Sequence, residues 1–92
     1  MSRAVRFTDA ARWQLCSAVE AASRQDVAAA GAFLETVRRL ARDGDCLEAE
    51  AKPLTDFPAL PQREVRVGEY RIFLRRKDAA LWITGVWKAQ SA

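Results

Sequence analysis

The chain has no histidine, and that absence excludes more chemistry than any motif it carries. Imidazole acid–base catalysis, Ser-His and Cys-His nucleophiles and most zinc sites all need that side chain. The two cysteines, Cys16 and Cys46, form no CxxC. The N-terminus MSRAVRFTDAAR shows no apolar export segment, so they read as free thiols, with a disulfide or redox pair as the alternative. Four scattered glycines (Gly31, Gly44, Gly68 and Gly85) build no phosphate loop. No apolar run approaches the ~20 residues that a membrane helix requires. An enzyme made from this sequence has Arg, Lys, carboxylates and one tyrosine to work with. The expectation is a cytoplasmic protein with no metal, no cofactor and no membrane partner.

What is present fits one small folded domain over residues 1–92, with 50% apolar and 29% charged residues. The 15 Lys and Arg against 12 Asp and Glu leave a net charge of only +3. The type of base says more than the total. Arginine dominates, and its planar fork suits bidentate grip on phosphate or carboxylate.

Ala4-Val5-Arg6-Phe7 alternates as a short strand with Val5 and Phe7 inward. Thr8 is a plausible N-cap, with Asp9 in the first turn, for a helix reaching about Ala22, its stripe made by Leu15, Val19 and Ala22. Ser23-Arg24-Gln25-Asp26 reads as a capping box opening a second helix. Phe33, Val37 and Leu40 form that helix's stripe, and Gly44 follows as its C-cap. The short connection predicts an antiparallel helical hairpin. Residues 43–62 carry three prolines without a sustained period and read as a long loop, anchored by Leu54, Phe57 and Leu60.

From Arg63 onward the period is two. Val67-Gly68-Glu69-Tyr70 predicts a type II′ hairpin turn and Lys77-Asp78-Ala79-Ala80 a looser one, giving antiparallel strands over about 63–67, 70–76 and 81–88. The first turn sets Arg66 opposite Arg71 and Glu64 opposite Phe73. The second sets Arg75 opposite Trp82, Phe73 opposite Thr84 and Arg71 opposite Val86. Paired residues share a face, so Val65, Val67, Tyr70, Ile72, Leu74, Leu81, Ile83 and Trp87 form a core face under the helices. The other face carries Glu64, Arg66, Arg71, Phe73, Arg75, Trp82, Thr84, Val86 and Lys88, and no helix is left to cover it. The expected class is α+β: an N-terminal strand and a helical hairpin packed on one face of a C-terminal antiparallel sheet.

Residues 63–77 hold six bases and two acids, a net +4 that exceeds the excess of the whole chain. Arg66, Arg71 and Lys88 are expected to gather at one end of the open face, with Phe73, Arg75 and Trp82 further along. Cations interleaved with rings suit single-stranded nucleic acid, through phosphate contacts and base stacking. A solvated face with incidental arginines, or a groove for an acidic partner segment, accounts for the same residues. Glu64 beside Arg66 is either a surface charge pair or a general base next to a phosphate-binding arginine. Trp13 lies off the inner stripe and has no assigned role.

The element order resembles the RelE/ParE superfamily of bacterial type II toxins. So do Val5-Arg6-Phe7-Thr8, Ala32-Phe33-Leu34, Lys52-Pro53-Leu54, Arg63-Glu64-Val65, Val67 to Phe73 and Leu81 to Trp87. The resemblance spans nearly the whole chain. It implies a growth-inhibiting toxin and a cognate antitoxin encoded nearby, whose partly helical arm crosses the helices or the basic sheet face. RelE-like members cleave mRNA in the ribosomal A site, and ParE-like members inhibit DNA gyrase. The cleavage reading comes first: Arg71 at the scissile phosphate, Arg66 and Lys88 holding it, and Glu64, or the RNA's own context, taking the 2′-OH proton. Arg75, Phe73 and Trp82 would then bind the nucleic acid. The sequence departs from many such nucleases at Val86-Trp87-Lys88-Ala89-Gln90, where a Tyr or His acid–base group is common. A lysine at its reference pKa of about 10.4 is a poor proton shuttle at neutral pH. Gyrase inhibition without catalysis is the alternative, and a non-toxic nucleic-acid- or protein-binding module is the rival class.

Overall fold

Alternation at the N-terminus produces strand β1 (Ala4–Phe7), with Val5 and Phe7 turned to the core and Ala4 and Arg6 outward. The computed structural model describes residues 3–89. Thr8 then caps helix α1 (Asp9–Gln25), its hydroxyl oxygen accepting from the Ala11 N–H at 3.1 Å. Asp9 lies in the first turn, where a negative charge meets the positive end of the helix dipole. Ala11 and Ala18 are buried and Leu15 packs beside them, so small side chains let the helix lie close to the sheet.

The second cap differs from the sequence expectation. Ser23 stays inside α1, its hydroxyl donating to the Glu20 carbonyl, and Asp26 caps helix α2 (Val27–Arg42) by accepting from Ala29 N–H. A serine hydroxyl can be satisfied by its own helix, whereas the Asp26 carboxylate meets the orphan N–H groups of the next one. The Asp26 N–H also donates to Ala22 O, so one residue ends α1 and starts α2. Val37 and Leu40 are buried, and the helical hairpin is as expected.

The segment expected to be a loop holds a third helix, α3 (Gly44–Glu50), and a two-residue strand β2 (Lys52–Pro53). Gly44 is therefore a first helical residue and no C-cap. Asp43 caps α3, accepting from the Asp45 and Cys46 N–H groups. Glu48 anchors the helix, accepting hydrogen bonds from both Arg3 and Arg76. Of the three expected anchors only Leu54 is buried; Phe57 and Leu60 are exposed.

Strands β3 (Arg63–Val67), β4 (Tyr70–Lys77) and β5 (Ala80–Lys88) complete a five-stranded sheet in the order β1-β5-β4-β3-β2. Its C-terminal part is antiparallel as expected, and β1 joins it parallel to β5. Gly68, at φ +58°, holds the first central position of the β3–β4 turn, and every expected pair of that hairpin is present. The β4–β5 turn is tighter than expected: Lys77 pairs Ala80 across two residues, and Asp78 takes φ +56°.

Further along that hairpin the register changes. A bulge lets Leu74 pair Ile83 while Phe73 pairs Gly85, leaving Thr84 as an extra residue on β5. One inserted residue reverses the side of everything after it. Val86, expected outside, pairs Ile72 and is buried. Trp87, expected in the core, pairs Arg71 and is 57% exposed. Lys88 pairs Tyr70 and so leaves the open face. The core between helices and sheet is filled by side chains such as Leu47, Ile72, Leu74, Leu81 and Ile83. Each contributes about 2 kcal/mol of transfer free energy.

Candidate nucleic-acid or partner interface

The sheet face turned away from the helices collects its residues by strand alternation. Across β3, β4 and β5 one row holds Arg66, Arg71 and Trp87. The next holds Glu64, Phe73 and Gly85. A third, across β4, β5 and β1, holds Arg75, Trp82 and Arg6. Of the expected site residues, Arg66, Arg71, Glu64, Phe73, Arg75 and Trp82 share this face, and Lys88 does not. Lys88 lies on the helix side of the sheet, 3.8 Å from Glu69.

Arg71 is the most constrained cation of the face. Its Nε donates to Glu64 Oε2 at 2.5 Å, its Nη1 lies 3.8 Å from Asp56 Oδ2, and its guanidinium sits 5.0 Å from the Phe73 ring centroid. Glu64 is only 8% exposed, covered by the segment after β2, and also accepts from the Thr55 N–H and hydroxyl. It is thus neither a surface pair nor a partner of Arg66. The hydrogen bond from Arg71 outweighs desolvation and holds the Glu64 carboxyl below its ordinary pKa; the same contact raises the Arg71 guanidinium. A carboxylate stabilised in this way is a weak proton acceptor.

The other cations are uncommitted. Arg6, Arg66 and Arg75 are exposed and form no ion pair among the described residues. Arg76 points to the other face, where it bonds Glu48. Tyr70 is half-buried against Phe33, with ring centroids 4.9 Å apart, so the single tyrosine does not reach the open face.

Three contributors escaped sequence reasoning. Asp56 closes on Arg71 from a segment without period. Arg6 becomes relevant only once β1 is placed beside Trp82. Trp87 depends on the bulge, for which an isolated glycine within a strand, Gly85, was the available signal. Cys16 and Cys46 are exposed free thiols, as the sequence suggested.

No family model and no curated protein matches the sequence. Solved structures match the fold. The chain superposes on a structure described as the chromosomal ParDE TA system from P. aeruginosa with a TM-score of 0.71 at 14% identity, covering 96% of this chain and 97% of that one. It superposes on the toxin–antitoxin complex RelBE2 from Mycobacterium tuberculosis with a TM-score of 0.63 at 25% identity, covering 96% and 99%.

Proposed function

We propose that this chain, which has the RelE/ParE fold, is the toxin of a type II toxin–antitoxin system and works through its open sheet face. The near-complete coverage in both directions by two toxin–antitoxin structures carries this reading. Its partner is then an antitoxin encoded nearby.

On the target, the geometry favours an inhibitor that binds, with gyrase as the ParE-like candidate. The groups that cleavage would need do not converge. Arg71 is held by Glu64 and Asp56, Glu64 is a weakened base, Lys88 lies on the other side of the sheet, and Tyr70 packs against Phe33. Phosphoryl transfer needs its acid, base and charge-stabilising groups around one atom.

Ribosome-dependent mRNA cleavage is the second reading. The uncommitted Arg66 and Arg75 beside Phe73, Trp82 and Trp87 favour it, because positioning and charge stabilisation carry much of a phosphoryl transfer. Inducing the chain in growing cells separates the readings. Gyrase inhibition predicts an SOS response, filamentous cells and blocked supercoiling with purified gyrase, with messages intact. Cleavage predicts mRNA cut at codon boundaries and a prompt stop in protein synthesis. Harmless expression, with no binding by the neighbouring gene product, removes the toxin assignment.

A further inference from the structure

Past Ile83, the β1 side of β5 has no strand beside it. β1 ends where Phe7 pairs Ile83, the Thr8 N–H donates to Ile83 O at 3.0 Å, and the chain then enters α1. The Val86 N–H lies beyond that point and donates to Gln14 Oε1, on the second turn of α1, at 2.9 Å. Val86 is 4% exposed, so the side chain of Gln14 stands in for both a strand and water. This bond belongs to one register only. Successive residues of a strand turn their backbone groups to alternate sides. Ile83 faces β1; counted without a break, Gly85 and Trp87 would follow it to that side, and Val86 would turn its N–H to β4. Thr84, the extra residue, exchanges them. The same insertion that brings the Val86 N–H to Gln14 thus turns Trp87 onto the open face. Trp87 has a seat there: a Cβ at Gly85 would meet its Nε1 at 2.9 Å and Phe73 Cδ2 at 3.3 Å, so both rings rest on bare backbone. In the unbroken register Trp87 goes under the helices and Lys88 joins Arg66 and Arg71. Val86 and Trp87 are both apolar, so hydrophobic patterning does not choose between the two.

We infer that Gln14 is the positioning residue that makes this choice: its amide oxygen holds β5 in the bulged register, so that the open face displays Trp87 and not Lys88. A contact made in only one of two states biases their equilibrium toward that state. Left unmade, it strands a buried N–H without a partner. Gln14 acts from α1, across the sheet from the face it arranges. The functional meaning rests on the reading of the open face as the working surface; the register itself does not.

The test uses the full chain labelled with fluorotryptophan, whose three fluorine resonances are assigned by a Trp→Phe change at each position. Trp87, 57% exposed, should show a solvent isotope shift between light and heavy water, and the Val86 amide should be protected from exchange. Gln14→Leu, close in size but without an acceptor, should speed exchange at Val86 about fivefold or more. It should also move the Trp87 resonance and abolish its isotope shift, as the ring turns under the helices. Gln14→Glu keeps an accepting oxygen and should behave as the unsubstituted chain does. Deleting Thr84 makes the observed pairing the regular one, because no residue is left over. In that background Gln14→Leu should leave Trp87 where it is, whereas a role confined to packing would move it in both backgrounds alike. A Trp87 resonance unmoved by Gln14→Leu, or moved equally without Thr84, overturns the inference. If Gln14→Leu fails to fold, the Val86 amide decides: protection that Gln14→Glu retains supports the inference, and rapid exchange in the unsubstituted chain overturns it. Growth arrest is scored separately. A toxic chain in which Gln14→Leu leaves Trp87 unmoved sinks only this inference, and a harmless chain in which the ring moves sinks only the toxin reading.

Discussion

Glu64 stands directly across from Phe73, yet its carboxylate reaches diagonally to Arg71, whose Nε donates to it at 2.5 Å. The pair couples the chemistry of the open face to the stability of the sheet. Removing Arg71 strands a carboxylate that is almost fully covered, and such losses cost about 3 kcal/mol. Arg71→Ala should therefore be clearly less stable than Arg71→Ala with Glu64→Gln, in which no buried charge is left unpaired. Denaturant unfolding of the cycle should give a coupling of about 1–3 kcal/mol. Additive effects would mean that the contact contributes nothing, and toxicity lost in Arg71→Ala would then report function rather than unfolding.

The same pair sets a pH dependence. The Glu64 carboxyl is lowered in the fold, first by the Arg71 hydrogen bond. Glu48 is also lowered, because Arg76 and Arg3 together outweigh its desolvation. A lowered carboxylate pKa means that the unfolded state binds the proton more readily. The stabilisation is then complete above the ordinary glutamate pKa of about 4.3 and is lost as pH falls through the lower folded values. Unfolding followed from pH 6 to pH 2.5 should show a decline confined to the acid side. Glu64→Gln should flatten part of it, leaving the Glu48 share. An unchanged profile in that variant would contradict the assignment.

Two glycines should respond in opposite directions to alanine. At Gly44 an added Cβ would lie 2.2 Å from the carbonyl oxygen of Arg3, and backbone cannot rotate away. Gly44→Ala should cost about 1–3 kcal/mol by overpacking where α3 meets the start of β1. Gly31 has open space around it within α2, so Gly31→Ala should stabilise by about 0.8 kcal/mol. Midpoints shifted in opposite directions at constant m would bear out both; a stabilising Gly44→Ala would show that the N-terminal strand is not held against α3.

The joint of the helical hairpin makes a third contrast. Asp26 caps α2 and also closes the last turn of α1, so Asp26→Ala should cost about 1 kcal/mol. Ser23 bonds only within α1, and Ser23→Ala should stay within about 0.5 kcal/mol. If Ser23→Ala proves the costlier change, the cap lies where the sequence pattern first placed it.

These contrasts also show what the sequence could and could not reveal. The β3–β4 hairpin was legible because Gly68 pins a two-residue turn and apolar residues alternate on both sides of it. Seven-residue α3 was not, since Cys46, Leu47 and Ala51 are too few to establish a helical period. The open face was legible as a class of surface, with Arg66, Arg71, Phe73, Arg75 and Trp82 rightly placed on it. Its far end was not, because period-two reasoning carries no signal for an inserted residue. The apolar Val86 and Trp87 satisfy either register equally well, and Thr84-Gly85 marked the break without fixing its direction. The pairing of Arg71 with Glu64 was missed because a diagonal contact lies outside directly opposed pairs.

The bulge makes Arg66 and Lys88 the decisive comparison for function. In an unbroken register both belong to one phosphate-binding cluster with Arg71, and removing either should weaken growth arrest alike. In the structure Arg66 is exposed on the open face without an ion-pair partner among the described residues, while Lys88 lies opposite Tyr70 and within 3.8 Å of Glu69. If the open face is the working surface, Arg66→Ala should weaken growth arrest at least severalfold, scored as the inducer concentration that halves colony formation. Lys88→Ala should leave it unchanged. Both positions are exposed, so neither substitution should move the unfolding midpoint by more than about 0.5 kcal/mol. Arg6→Ala supplies an independent reading, since its place on that face comes from β1 and owes nothing to the bulge. Loss of toxicity in Lys88→Ala with Arg66→Ala fully toxic would place the working surface on the helix side of the sheet.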